Sequence, residues 1–89
     1  MIASLTAAHL GKLNISIYDF AAEEDVLPMH QHTPETNHIT VVARGSFKAH
    51  GNSWERILKA GDVVDWPDND PHEFVALEPN SRIVNIVKG

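Results

Sequence analysis

Eighty-nine residues suffice for one domain and leave no chain for a second core. The net charge is −5 and the seven basic residues (Lys12, Arg44, Lys48, Arg56, Lys59, Arg82 and Lys88) are scattered, which argues against nucleic acid as a partner. Cysteine is absent, so disulfides and thiolate ligands are excluded and any metal has to be held by imidazole and oxygen.

No stretch approaches the roughly 18 apolar residues of a membrane span, and the amino-terminal region lacks a basic start followed by an apolar run. The expectation is a cytoplasmic protein without a membrane partner. Residues 1–11 ("MIASLTAAHLG") are read as an amino-terminal arm, either extended or a short helix, in front of a single domain that fills residues 1–89.

From there the chain alternates short β-branched and apolar runs with turn signals, at intervals of about 8 to 12 residues typical of all-β sandwiches and barrels. Eight strands are predicted, near Leu13–Asp19, Leu27–His32, His38–Ala43, Ser46–His50, Trp54–Leu58, Asp62–Trp66, His72–Leu77 and Arg82–Val87. Between them, "AAEED" is one helical turn at most or a loop, "HGNS" reads as a hairpin turn, and "KAGD", "PDNDP" and "EPNS" read as tight turns. The fold class that follows is all-β: a small antiparallel barrel or a double-sheet jelly roll, both of which dispose of exposed strand edges.

Histidine carries the chemistry. In "HQH" the period of a strand sends His30 and His32 to the same side, which suits two ligands of one ion. His38 opens the run "HITVVARG" after the loop "TPETN", and His72 opens a later strand after "PDNDP". His9 and His50 read as solvated or hydrogen-bonded surface imidazoles. The large aromatic residues Phe47, Trp54, Trp66 and Phe74 read as core, with Phe74 on the strand face of His72. Walker, dinucleotide-binding and nucleophile-elbow patterns are all missing.

These residues resemble the small single-domain cupins, whose motifs run G-x5-H-x-H-x3–4-E-x6-G and G-x5-P-x-G-x2-H-x3-N. His30 and His32 match the first pair, Gly45 the closing glycine, and Gly61, Pro67 and His72 the second motif at its full spacing. Four positions depart from the pattern. His38 stands at the glutamate position counted back from Gly45, Asn69 at the second glycine, Ala76 at the terminal asparagine, and Glu24 at the opening glycine six residues before His30.

The resemblance implies a double-stranded β-helix in which His30, His32, His38 and His72 converge on one divalent ion inside the barrel. Imidazole donors suit Fe, Ni, Mn, Zn or Cu. Glu35 competes with His38 for the fourth place, or serves as an acid or base at the pocket mouth. An all-histidine shell keeps the full charge of the ion and favours a small anionic or enolisable metabolite. The implied activity is dioxygenase-like oxidoreductase chemistry, or isomerase or lyase chemistry. The alternative is a non-catalytic module that holds a small ligand or metal. Apolar residues on both faces of "ITVVA" and "RIVNIV" add the expectation of a homodimer.

Overall fold

The computed structural model describes residues 1–10, 13–30, 38–66 and 71–88. Among the described residues nine strands follow one another: β1 Ser4–Leu10, β2 Leu13–Phe20, β3 Val26–His30, β4 His38–Arg44, β5 Ser46–His50, β6 Glu55–Lys59, β7 Val63–Asp65, β8 His72–Ala76 and β9 Ser81–Lys88. They form a five-stranded sheet in the order β1-β2-β9-β4-β7 and a four-stranded sheet in the order β3-β8-β5-β6. Every strand pairing in both sheets is antiparallel.

One expectation needs correction. The amino-terminal arm of residues 1–11 contains a ninth strand, β1, whose seven residues pair with β2 from Ser4↔Asp19 to Leu10↔Leu13. Its alternation was hidden because every side chain described from Ser4 to Ala8 is exposed, so no buried face marks the period. The double-sheet arrangement expected of a jelly roll is present, and among the described residues the two sheets do not close into one barrel. The sheets face each other and are laced at one side by a parallel bridge, Ile2↔Val26. The "AAEED" segment is a turn, in which Ala22 N donates to the Asp25 carboxylate at 3.0 Å and Asp25 N to Ala22 O at 3.1 Å.

Cross-strand register assigns the faces. In the five-stranded sheet the inward rows are Tyr18–Ile83–Val42 and Ser16–Asn85–Thr40–Val64. In the four-stranded sheet Leu27, Phe74 and Ala49 share one inward row, and Ala76, Phe47 and Leu58 the next. Between the sheets lie Phe20, Val42, Phe47, Leu58, Val64, Trp66, Phe74, Ala76 and Ile83, all buried. Phe20 meets Phe47 edge-on with ring centroids 4.7 Å apart, and Phe47 meets Phe74 at 6.2 Å. Burial of each such ring is worth about 2–3 kcal/mol, which lets so short a chain hold together.

Gly45 and Gly61 have φ of +80° and +96°, the left-handed region that glycine enters without penalty. They end β4 and precede β7, and the turns tie back through Ala60 N to Gly45 O and Gly61 N to Val42 O. The motif glycines read from the sequence thus serve as corners.

Candidate functional site

His72 is the first residue of β8 and lies on its inward side with Phe74 and Ala76; it is 1 % exposed. Its imidazole stacks on the Trp66 indole, with centroids 4.2 Å apart and planes 10° from parallel, and meets the Phe74 ring edge-on at 5.9 Å. The ring is therefore fixed on two sides by aromatic packing.

The strand beside it is β3. Its pairing with β8 runs Val26↔Val75 and Leu27↔Phe74, then slips by one residue, so that His30 comes opposite His72. In uninterrupted register Met29 would take that place. A bulge re-aims everything beyond it, because one residue of slip exchanges the two faces of a strand. Pro28 sits within this irregularity, where a residue with no N–H to give the ladder is tolerated. The slip makes position 30 a direct neighbour of position 72, whose side chain points inward.

His38 opens β4 in the opposite sheet, paired with Val87 and two residues before the buried Thr40. For His30 and His38 the structure describes the backbone. His32 and Glu35 lie outside the described residues, as do Pro67 and Asn69. Among the described residues no three His, Asp or Glu side chains converge as a metal-binding group; of the four candidate ligands only His72 contributes a side chain to that set. The donor chemistry suits a first-row divalent ion: a rigidly stacked imidazole with a second histidine directly opposite it in the ladder.

A buried polar chain runs from this place into the other sheet. Trp66 Nε1 donates to Thr40 Oγ1 at 2.7 Å, and Thr40 Oγ1 donates to Asn85 Oδ1 at 2.5 Å. Thr40 is fully buried and Asn85 is 4 % exposed. Sequence reasoning passed over both. Thr40 is hidden among the β-branched residues of "HITVVAR", whereas Asn85 left a signal by interrupting the apolar run "IVNIV".

The other polar residues weighed from the sequence are occupied elsewhere. His50 Nε2 lies 2.7 Å from Glu73 Oε1 across β5 and β8, on the outward side, in agreement with a surface role. Arg44 Nε donates to Asn80 O at 2.6 Å, and its guanidinium stands 3.5 Å from Asp19. Arg82 grips the same carboxylate through Nε at 2.6 Å and Nη2 at 3.1 Å. The hydrogen bonds and charge of Arg82, with help from Arg44, hold the Asp19 carboxyl below its ordinary value against the opposing effect of burial.

No family model matches this sequence. Nor does any curated protein. Solved structures do match it in fold. KdgF from Halomonas sp. superposes with a TM-score of 0.78 at 27% identity, over 98% of this chain and 79% of that one. An RmlC-like cupin from Desulfovibrio desulfuricans gives 0.83 at 21% identity, over 98% and 82%. The DMSP lyase DddQ from Ruegeria pomeroyi gives 0.79 at 18% identity, over 99% of this chain and 47% of the lyase. With two facing antiparallel sheets, the chain has the fold of these small cupin structures.

Proposed function

We propose that this cupin holds one divalent metal ion through His30, His32, His38 and His72, and acts as an enzyme on a small anionic or enolisable metabolite. The observation that carries the reading is the β3 bulge, which sets His30 opposite the buried, Trp66-stacked His72. Directly paired strand residues have Cβ atoms about 4.5–5.5 Å apart, a spacing that two imidazoles on one ion require. Strand parity supports His38 as a further donor, since it alternates in step with the buried Thr40 and Val42.

A bound divalent ion of this type supplies Lewis acidity and an open position for a substrate oxygen. The chain's own part is to orient His72 by stacking, to keep water from the apolar end of the interior, and to present donors and acceptors around the substrate. Oxygenase, isomerase and lyase chemistries all suit such a site; DddQ, similar in fold, is a lyase.

The test is elemental analysis of untagged protein. We expect close to one equivalent of a first-row metal per chain, and loss of it in the His30→Ala, His72→Ala double variant. Metal content unchanged in that variant would sink the assignment. A tetrahedral shell closed by four protein ligands in its X-ray absorption spectrum would instead favour the non-catalytic module.

A further inference from the structure

We infer that Asn85 is a hydrogen-bond donor between the two sheets, reading an oxygen atom of the bound anionic ligand while its own carboxamide oxygen is engaged by Thr40. The argument starts from Trp66. An indole Nε1 can only donate, so the Thr40 hydroxyl accepts from it and has its own proton to give onward. That proton goes to Asn85, and the atom receiving it must be the carbonyl oxygen. With the Thr40 proton given this way, the amide oxygen faces Thr40.

The two N–H donors of Asn85 are consequently directed away from Thr40. Among the described residues none accepts a hydrogen bond from them. The side chain is nevertheless 4 % exposed, on the inward row Ser16–Asn85–Thr40. A ligand oxygen that accepts from this nitrogen gains a directed hydrogen bond. On one side of this row stand the apolar Ile83 and Val42, and on the other Val87 and His38. Because Trp66 touches both His72 and Thr40, the donor belongs to the same interior as the candidate ligand. A carboxylate or enolate oxygen is the matching group. The inference rests on the reading that the ligand lies between the two sheets.

Asn85→Asp makes a selective test. The aspartate keeps an oxygen for Thr40 and replaces only the free NH2 with a negatively charged acceptor. Pyruvate serves as the probe, with Zn(II)-loaded protein. Loss of a donor to a charged oxygen, with repulsion in its place, weakens binding on the order of 10- to 100-fold. We expect that loss in Asn85→Asp with the zinc stoichiometry unchanged. Thr40→Val, which frees the amide to turn, should weaken pyruvate less, and Thr40→Ser should restore it.

Should Asn85→Asp fail to fold, the wild-type protein still decides the matter. The paired side-chain amide signals of Asn85 in a 15N–1H spectrum are expected to shift as pyruvate is added. Signals that stay put at millimolar excess, or equal pyruvate affinity in wild type and Asn85→Asp, overturn the inference. If the protein takes up no zinc, the metal assignment fails on its own, and the same amide shift in zinc-free protein decides the role of Asn85.

Discussion

Glu24 offers a prediction whose size follows from the backbone. It occupies the position where the cupin pattern has its first glycine, and its φ is +73°. A non-glycine residue in the left-handed region is disfavoured by about 1–2 kcal/mol. The strain is held in place from both sides: Glu24 N donates to Ala76 O at 2.8 Å, and the buried Asp25 locks the turn by accepting from Ala22 N. Glu24→Gly removes the steric cost and adds about 0.4–1 kcal/mol of unfolded-chain entropy. The net gain is about 0.5–1 kcal/mol, or roughly 2–8 °C in Tm for a domain of this size. Differential scanning calorimetry reads it directly. Because the chain carries a net charge of −5, loss of any carboxylate could stabilise it, so Glu24→Ala is the control. Alanine keeps the strained φ and should gain little. An equal rise in both variants, or none in Glu24→Gly, would refute the conformational argument.

Other outcomes follow from the same geometry. A Cβ added at Gly45 would run into the Ser81 side chain and come within 2.9 Å of its Cα, whereas one at Gly61 meets nothing within 4 Å. Gly45→Ala should therefore lower Tm at least twice as far as Gly61→Ala, and equal losses would show that backbone strain alone matters. Asp19 has a lowered carboxyl pKa in the fold, so the stability it contributes is complete above its unfolded value near 3.8 and is lost as pH falls through the lower folded value. The Tm deficit of Asp19→Asn should accordingly shrink as pH drops below about 4, and a constant deficit would contradict the linkage. Ile39, Val41, Val63, Val84 and Ile86 line the outward face of the five-stranded sheet, Val63 at 60 % exposure. A second copy of this chain covering that face would give a dimer by sedimentation at micromolar concentration, and Ile39→Lys should return it to monomer; a wild-type monomer would remove the proposal.

Much of this architecture was legible because strands with one buried face write their period into the sequence. "SFKAH" and "HEFVA" alternate strictly in burial, and both were placed to within a residue. β1 escaped because an exposed edge strand has no buried face to record. The histidine pattern pointed to His30 and His72, but simple counting along β3 would have turned His30 away from its partner. Only the slip after Leu27 makes the two neighbours, and nothing in "VLPMH" other than the proline announces it. The relay was hidden for another reason. Thr40, Trp66 and Asn85 are far apart in sequence, so their hydrogen bonds belong to the packing of the sheets and not to any motif.

The inward rows of the described residues also differ between the two ends of the interior. In the five-stranded sheet they pass from Ile83 and Val42 to Asn85 and Thr40. In the four-stranded sheet they pass from Ala76 and Phe47, through Phe74 and Ala49, to His72. The two gradients run the same way, because Phe20 and Phe47 meet at one end while Trp66 bridges His72 and Thr40 toward the other. For the ligand proposed above, an aromatic floor beneath Thr40, Asn85 and His72 would lower the local dielectric and strengthen each polar contact made there. Trp66 is the hinge of that arrangement. Trp66→Phe preserves an aromatic face for His72 but removes the donor that orients Thr40, so it should spare metal binding and impair ligand binding; equal loss of both would mean that stacking, and not the relay, is what Trp66 contributes.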